Sequence, residues 1–279
     1  MEIIYGVLEQ GLIYGLVGIA VFLTLRVIDF PDMGINNSFT SGAAAWYCSV
    51  KVGIDPHLAA AIAFLAGFVL GYITAALHLF FNIKPLLSGI ITMIALYSVN
   101  MRLMGRPNIP LIDTPNIFVG ASDIVKIFML VAICTTVLIS LSYFLMTEIG
   151  LAMRISGQNY MLGETYGISR VMTIGLTLAI SNGIIGFAGS LLCQVQGFLD
   201  VNMGNGLIVI GLVSVIIGEK IFASTRVYIT ILMSIVGALT YKAAVMMALF
   251  SSDIGLQSSD IHIITALIMV TMMFKVKTS

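Results

Sequence analysis

The stretch TEIGLAMRISGQNYMLGETYGISR occupies residues 147–170, between two long apolar runs. It is too long for a tight turn, and it carries Glu148, Arg154, Glu164 and Arg170 in a chain otherwise poor in charge. Its second half predicts a short helix. Asn159 is suited to cap the start, residues 160–166 contain no breaker except Gly163, and Gly167 can adopt the left-handed conformation that ends a helix. Seven helical residues cover roughly 10 Å. A short helix held between two apolar runs is a surface for a partner.

The surroundings decide what kind of surface. Of 279 residues, 59% are hydrophobic and only 9% are charged, against about 25% charged in a soluble domain. The chain therefore reads as an integral membrane protein, all-α, with one domain over 1–279 and no room for an added soluble one. Each helical span takes ~20 residues. The zero formal net charge argues against nucleic acid as a partner. No Lys or Arg precedes the first apolar run in MEIIYGVLEQ, so the first span is expected to be retained rather than cleaved. Cys48, Cys134 and Cys193 are scattered, and His57, His78 and His262 are isolated. No metal site is expected from such spacing.

Apolar runs over about 3–25, 38–50, 57–81, 86–103, 124–146, 171–196, 207–218, 227–250 and 261–274 predict about nine spans (eight to ten), the second, seventh and ninth being short for a full crossing. Segment 105–122 holds three of the six prolines and reads as an extramembrane loop. Orientation follows from the basic residues near span ends. With the C-terminus in the cytoplasm, Arg26, Lys84, Arg154, Arg170, Lys220, Arg226, Lys275 and Lys277 fall inside. Lys51, Arg102, Arg106, Lys126 and Lys242 fall outside or near the outer face, and so does the N-terminus. The stretch 147–170 is then cytoplasmic.

Two polar breaks resemble each other. One is FPDMGINNSFTSGAAA from Phe30, and the other is FLDVNMGNGLIVIGLVS from Phe198. Each has Phe-x-Asp, then Met-Gly with an Asn close by, then a run rich in small residues. The first lies at the cytoplasmic side and the second at the outer side. That is the pattern of an inverted repeat with broken helices, whose freed backbone groups line a route between the halves. The alternative is that both are ordinary loops and the match is chance. An amide facing hydrocarbon is costly, so Asn36, Asn37, Ser38, Thr40, Asn202 and Asn205 are expected to line a translocation pathway or meet another helix. Asn100, Asn182, Gln194 and Gln196 read as hydrogen-bond glue between helices. Glu9 is either an interfacial or a functional carboxylate.

No P-loop, His-Glu-x-x-His or Gly-x-Ser-x-Gly motif occurs, which leaves a transporter or channel with no catalytic residues. Residues GLAMRISGQNYMLGETYGISRVMTIGLTLAISNGIIGFAGSLL, with Arg154-Ile155, Asn159 and Gly167-Ile168, resemble the cytoplasmic loop and following span of bacterial ABC importer permeases of the branched-chain amino acid and ribose type. FPDMGINNSFTSGAAA is similar to that family's segment leading into a small-residue span. Within the family, RISGQN most resembles a branch associated with aromatic amino acid and other uncharacterised solute uptake. Ile155 stands where Ala is usual, and Gly163 where a small Ala is common.

The resemblance implies a type II ABC importer-like fold in the bacterial cytoplasmic (inner) membrane. It also implies a second permease copy (a homodimer), an ABC ATPase subunit that binds ATP and Mg, and an extracytoplasmic solute-binding protein. This chain would then hold no cofactor of its own. Residues 157–167 would be the coupling helix, with Arg154, Gly157, Gln158, Asn159, Gly163, Glu164, Tyr166 and Gly167 making or shaping the ATPase contact. The substrate expected is an amino acid, with an aromatic one as the narrower option. The alternatives are an ABC importer of nucleosides or sugars, or an ion-coupled secondary transporter.

Overall fold

The structure is a computed structural model that describes residues 2–250 apart from 113, 159, 223 and 225. Helices α1 (Glu2–Phe22), α2 (Ile35–Lys51), α3 (Pro56–Phe81), α4 (Pro85–Met104) and α5 (Asp123–Met146) precede the stretch quoted first. That stretch forms α6 (Glu148–Gln158) and α7 (Tyr160–Thr165), and α8 (Arg170–Gln196), α9 (Leu207–Ile221) and α10 (Val227–Phe250) follow. A π-helical turn, Leu23–Val27, prolongs α1. Strands β1 (Asn108–Pro110) and β2 (Phe198–Asp200) pair antiparallel, with Ile109 opposite Leu199.

Six helices are long and apolar enough to cross a bilayer: α1 with its π turn, α3, α4, α5, α8 and α10. The expected count of about nine spans is therefore not confirmed among the described residues. The second and seventh runs form α2 and α9, of 17 and 15 residues, too short to reach from face to face at ~1.5 Å per residue. The ninth run, 261–274, lies outside the described residues. The proline-rich loop holds β1, a strand that sequence reasoning did not anticipate.

Two helices form the centre. α1 and α8 are the most buried spans, and α5 is the least. α8 packs on α2 and α3, whereas α1 packs on α9 and α10, and the two central helices also touch each other. Each centre thus lies against the other half of the chain. Small residues permit the approach. A Cβ at Gly67 or Gly71 would strike the backbone of Asn182 or Leu178 on α8, and one at Gly42 would strike Gly186. Gly11, Gly15 and Gly18 of α1 seat Leu239, Ile235 and Ser234 of α10 in the same manner. In lipid, where apolar surface gains nothing by leaving its solvent, such close packing is the main attraction between helices.

The bundle has two distinct ends. At one end lie Arg26, the ends of α3 and α9, the starts of α4, α8 and α10, and the α6–α7 pair. At the other lie the end of α2, the start of α3 and the β1–β2 ribbon, above a cluster of Trp46, Ala59, Ile109 and Leu199. Asp55 caps α3 there by accepting from the His57 N–H at 2.9 Å, with Pro56 as the first helical residue.

Candidate functional site

The connection between α5 and α8 is built from its hinge outward. Thr147 is extended and serves both neighbours. Its N–H closes α5 on Phe144 O, and its carbonyl accepts the first bond of α6, from Leu151 N at 2.9 Å. A Cβ at Gly150 would meet the backbone of Phe144 and Leu145, so α6 folds back tightly on the end of α5. Met153 is buried in the main core. Gly157 lies so close to the Val27 carbonyl that no side chain fits there. Ser156 and Thr173 exchange a hydroxyl bond at 3.3 Å, which ties α6 to α8.

Helix α7 matches the expected 160–166 helix closely. Gly167 has φ +74, its N–H bonds Glu164 O at 2.9 Å, and Ile168 N bonds Gly163 O at 3.0 Å. This paired pattern is the Schellman closure, and only glycine takes its left-handed position without strain. The expected single helix over 157–167 is corrected to two. α6, ending at Gln158, was not foreseen, and Gly157 and Gln158 belong to it. Its signal was Thr147 before Glu148, a helix start that two glycines obscured.

The expected coupling residues therefore divide. Arg154 and Gln158 line a cavity of about 140 Å³ with Phe22, Arg26, Val27, Val227 and Thr230. Gly157 faces inward, and Gly163 is buried, with the nearest atoms to a Cβ there, those of Ser156, 3.6 Å away. Glu164, Tyr166 and Gly167 are exposed, with Tyr166 75% accessible. Asn159 lies outside the described residues. Beside α6, His78 is fixed by two contacts. Nδ1 bonds Ile83 O at 2.7 Å, and a carbonyl can only accept, so Nε2 is left to accept from Arg170 Nη2 at 3.0 Å.

The second group is the pair of breaks. Asp32, fully buried, accepts from Gly34 N at 2.8 Å through Oδ1 and from Asn182 Nδ2 at 2.7 Å through Oδ2. Asp200 repeats the arrangement, accepting from Asn202 N at 2.7 Å and from Asn108 Nδ2 at 3.0 Å. Both are Asx turns, in which a short carboxylate replaces the backbone acceptor where a helix has stopped. Sequence reasoning noted Phe-x-Asp but did not single out Asp32. Its counterpart in the other break was the available signal.

The breaks touch. Asn36 Oδ1 accepts from Ile208 N at 3.1 Å, Thr40 Oγ1 bonds Val201 O at 3.4 Å, and a Cβ on Gly204 would strike the Asn36 carbonyl. Asn37 bonds the Met93 carbonyl, and Asn100 links Ser41 (2.7 Å) to the Asn37 carbonyl (3.2 Å), fastening α2 to α4. Ser38 is buried without a hydrogen-bond partner. Asn202 and Asn205 are exposed and bond each other at 3.4 Å. Of the six expected pathway residues, Asn36 and Thr40 of α2 meet the second break, Asn37 faces α4, Ser38 makes no hydrogen bond, and Asn202 and Asn205 lie exposed on the second break. Of the residues expected as glue between helices, Asn100 joins α4 to α2, whereas Asn182 and Gln194 bond loop residues, Asp32 and the Ile117 N–H, the latter at 3.0 Å.

Among the described residues, six bilayer-length helices and two short ones, α2 and α9, define a multi-pass helical membrane protein. The chain belongs to the family of permease components of branched-chain amino acid transport systems, which it matches over residues 3–274. It is 38% identical over 271 residues to the tyrosine transport system permease protein of Clostridioides difficile (strain R20291), covering 97% of this chain and 90% of that protein. It is also 31% identical over 222 residues to an uncharacterized protein of Rickettsia prowazekii (strain Madrid E), covering 80% and 79%. No solved structure matches the chain.

Proposed function

We propose that this chain forms the translocation pathway of an ATP-driven amino acid importer in the bacterial inner membrane and is moved by a separate ATPase through α6 and α7. The observation that carries the reading is the α6–α7 pair itself. It stands at the basic end of the bundle, is continuous with α5, and is wedged against the π turn of α1 at Gly157 and against α8 at Ser156. A push on the exposed Tyr166 side would reach both central helices as a rigid displacement. The partner ATPase would hold ATP and Mg, and this chain would hold neither. Orientation by basic residues puts that end in the cytoplasm.

The halves read as an inverted repeat. The exchanged packing of α1 and α8 and the matched turns at Asp32 and Asp200 support it, and such folds carry the substrate where the breaks meet. A second copy of the chain would complete the pathway, with a solute-binding protein delivering substrate at the β1–β2 end. The tyrosine transport relative favours an amino acid, and an aromatic one, over a nucleoside or sugar.

The test is Gly163→Trp in proteoliposomes that also contain the ATPase and the binding protein. A bulky ring at this buried position on α7 meets Ser156 and Ile168 first and displaces the docking face. Insertion and ATPase retention are expected to stay normal while ATP-driven uptake falls at least tenfold. Uptake equal to the unsubstituted protein would refute the coupling role.

A further inference from the structure

The cavity bounded by Phe22, Arg26, Val27, Arg154, Gln158, Val227 and Thr230 differs from the other polar cavities of this end in its charge. Two arginines from different elements converge on it, and among the described residues no carboxylate lines it, Glu219 standing beside it on Arg26. Its ≈140 Å³ is several times the roughly 30 Å³ share of one liquid water. Arg26 is set in place by two features. The π turn Leu23–Val27 re-aims the end of α1, a distortion frequently retained at functional positions, and Glu219 of α9 holds Arg26 Nη2 at 2.5 Å. Arg26 also lines a neighbouring cavity, together with Asp29, Leu212 and Val215.

We propose that this cavity binds a phosphate group, supplied by the headgroup of an anionic phospholipid in the leaflet at that end. Guanidinium forks match the geometry of phosphate oxygens, and the Gln158 amide adds a neutral donor. The frame argues for a lipid. Phe22 and Val27 end one span, Val227 and Thr230 begin another, and Arg154 and Gln158 come from α6, so the cavity lies at the level of the span ends, where headgroups would be. Basic pockets between spans are a recurrent means of holding anionic headgroups. An amino acid fits less well, because among the described lining residues its ammonium meets no carboxylate, and the adjacent Glu219 is already paired with Arg26. A lipid seated there would brace α6 against α1 and α10.

Native mass spectrometry of the full chain in detergent tests this, with phosphatidylglycerol and phosphatidylcholine of identical acyl chains as probes. Phosphatidylglycerol is expected to be retained preferentially. Arg154→Gln should lower its retention about fivefold, in line with the ~1 kcal/mol per basic residue near an anionic surface. Arg26→Gln combined with Glu219→Gln should do the same without leaving Glu219 unpaired, which keeps the test valid if one variant folds poorly. Lys84→Gln, an exposed charge at the same end but outside the cavity, should change nothing. Equal retention of both lipids, unchanged retention in both arginine variants, or an equal loss in the Lys84 variant would overturn the proposal. Competition by millimolar inorganic phosphate with the same arginine dependence would overturn the lipid as the source.

Discussion

Gly157 and Gly163 stand six positions apart in the connection between α5 and α8, and their surroundings give them opposite tolerances. A methyl at Gly157 overlaps the Val27 carbonyl, part of a backbone that cannot swing aside, whereas a methyl at Gly163 finds its nearest neighbour at 3.6 Å. Gly157→Ala should therefore cost about 1–3 kcal/mol as overpacking. Gly163→Ala should be neutral, or gain up to about 1 kcal/mol from helix propensity. Thermal unfolding in detergent will separate them, and similar melting temperatures for the two variants would contradict the seating of α6 on α1. Asp32 shows the same dependence on surroundings. In the sequence it is one acid among thirteen, yet in the fold it is fully buried, with Gly34 and Asn182 as its donors.

At the scale of elements, α2 and α9 matter because they are short. They start where the two breaks meet, and the Asx turn at the buried Asp32 satisfies backbone that lipid could not, while its counterpart at Asp200 lies at the ribbon end. Gly204 is the closest point between the two breaks. Gly204→Ala should push the second break off Asn36 at a cost of about 1–3 kcal/mol and reduce uptake while leaving the six long spans in place. Full uptake with an unchanged melting temperature would mean that this junction is not on the transport route. Most of these elements were legible in the sequence, since apolar runs of about 20 residues leave few options in a bilayer and Gly167 marked the end of α7. The rest was hidden for physical reasons. α6 carries glycines chosen for contact with α1 and α5, which read locally as breakers. β1 needs β2 as its partner, 90 residues later. The cavity at Arg26 and Arg154 joins residues 128 positions apart, and no local pattern reports that.

For the whole molecule, the exchange of packing partners, with α1 against α9 and α10 and α8 against α2 and α3, makes the two halves interdependent. Movement at α6 and α7 would shift both central helices together rather than loosen one. A carrier driven by an ion gradient would instead need a titratable or cation-binding group that changes partners within the membrane. Among the described residues the buried carboxylates are Asp32, whose Oδ1 and Oδ2 accept from Gly34 and Asn182, and Glu9 of α1, whose Oε1 is buried without a hydrogen-bond partner. The energy source therefore separates the two machines. The decisive measurement is uptake of labelled tyrosine into proteoliposomes holding this chain with its ATPase and binding protein, energised either by ATP or by an imposed sodium or proton gradient. The account predicts uptake with ATP alone and none with either gradient. Gradient-driven uptake that persists without ATP would contradict it.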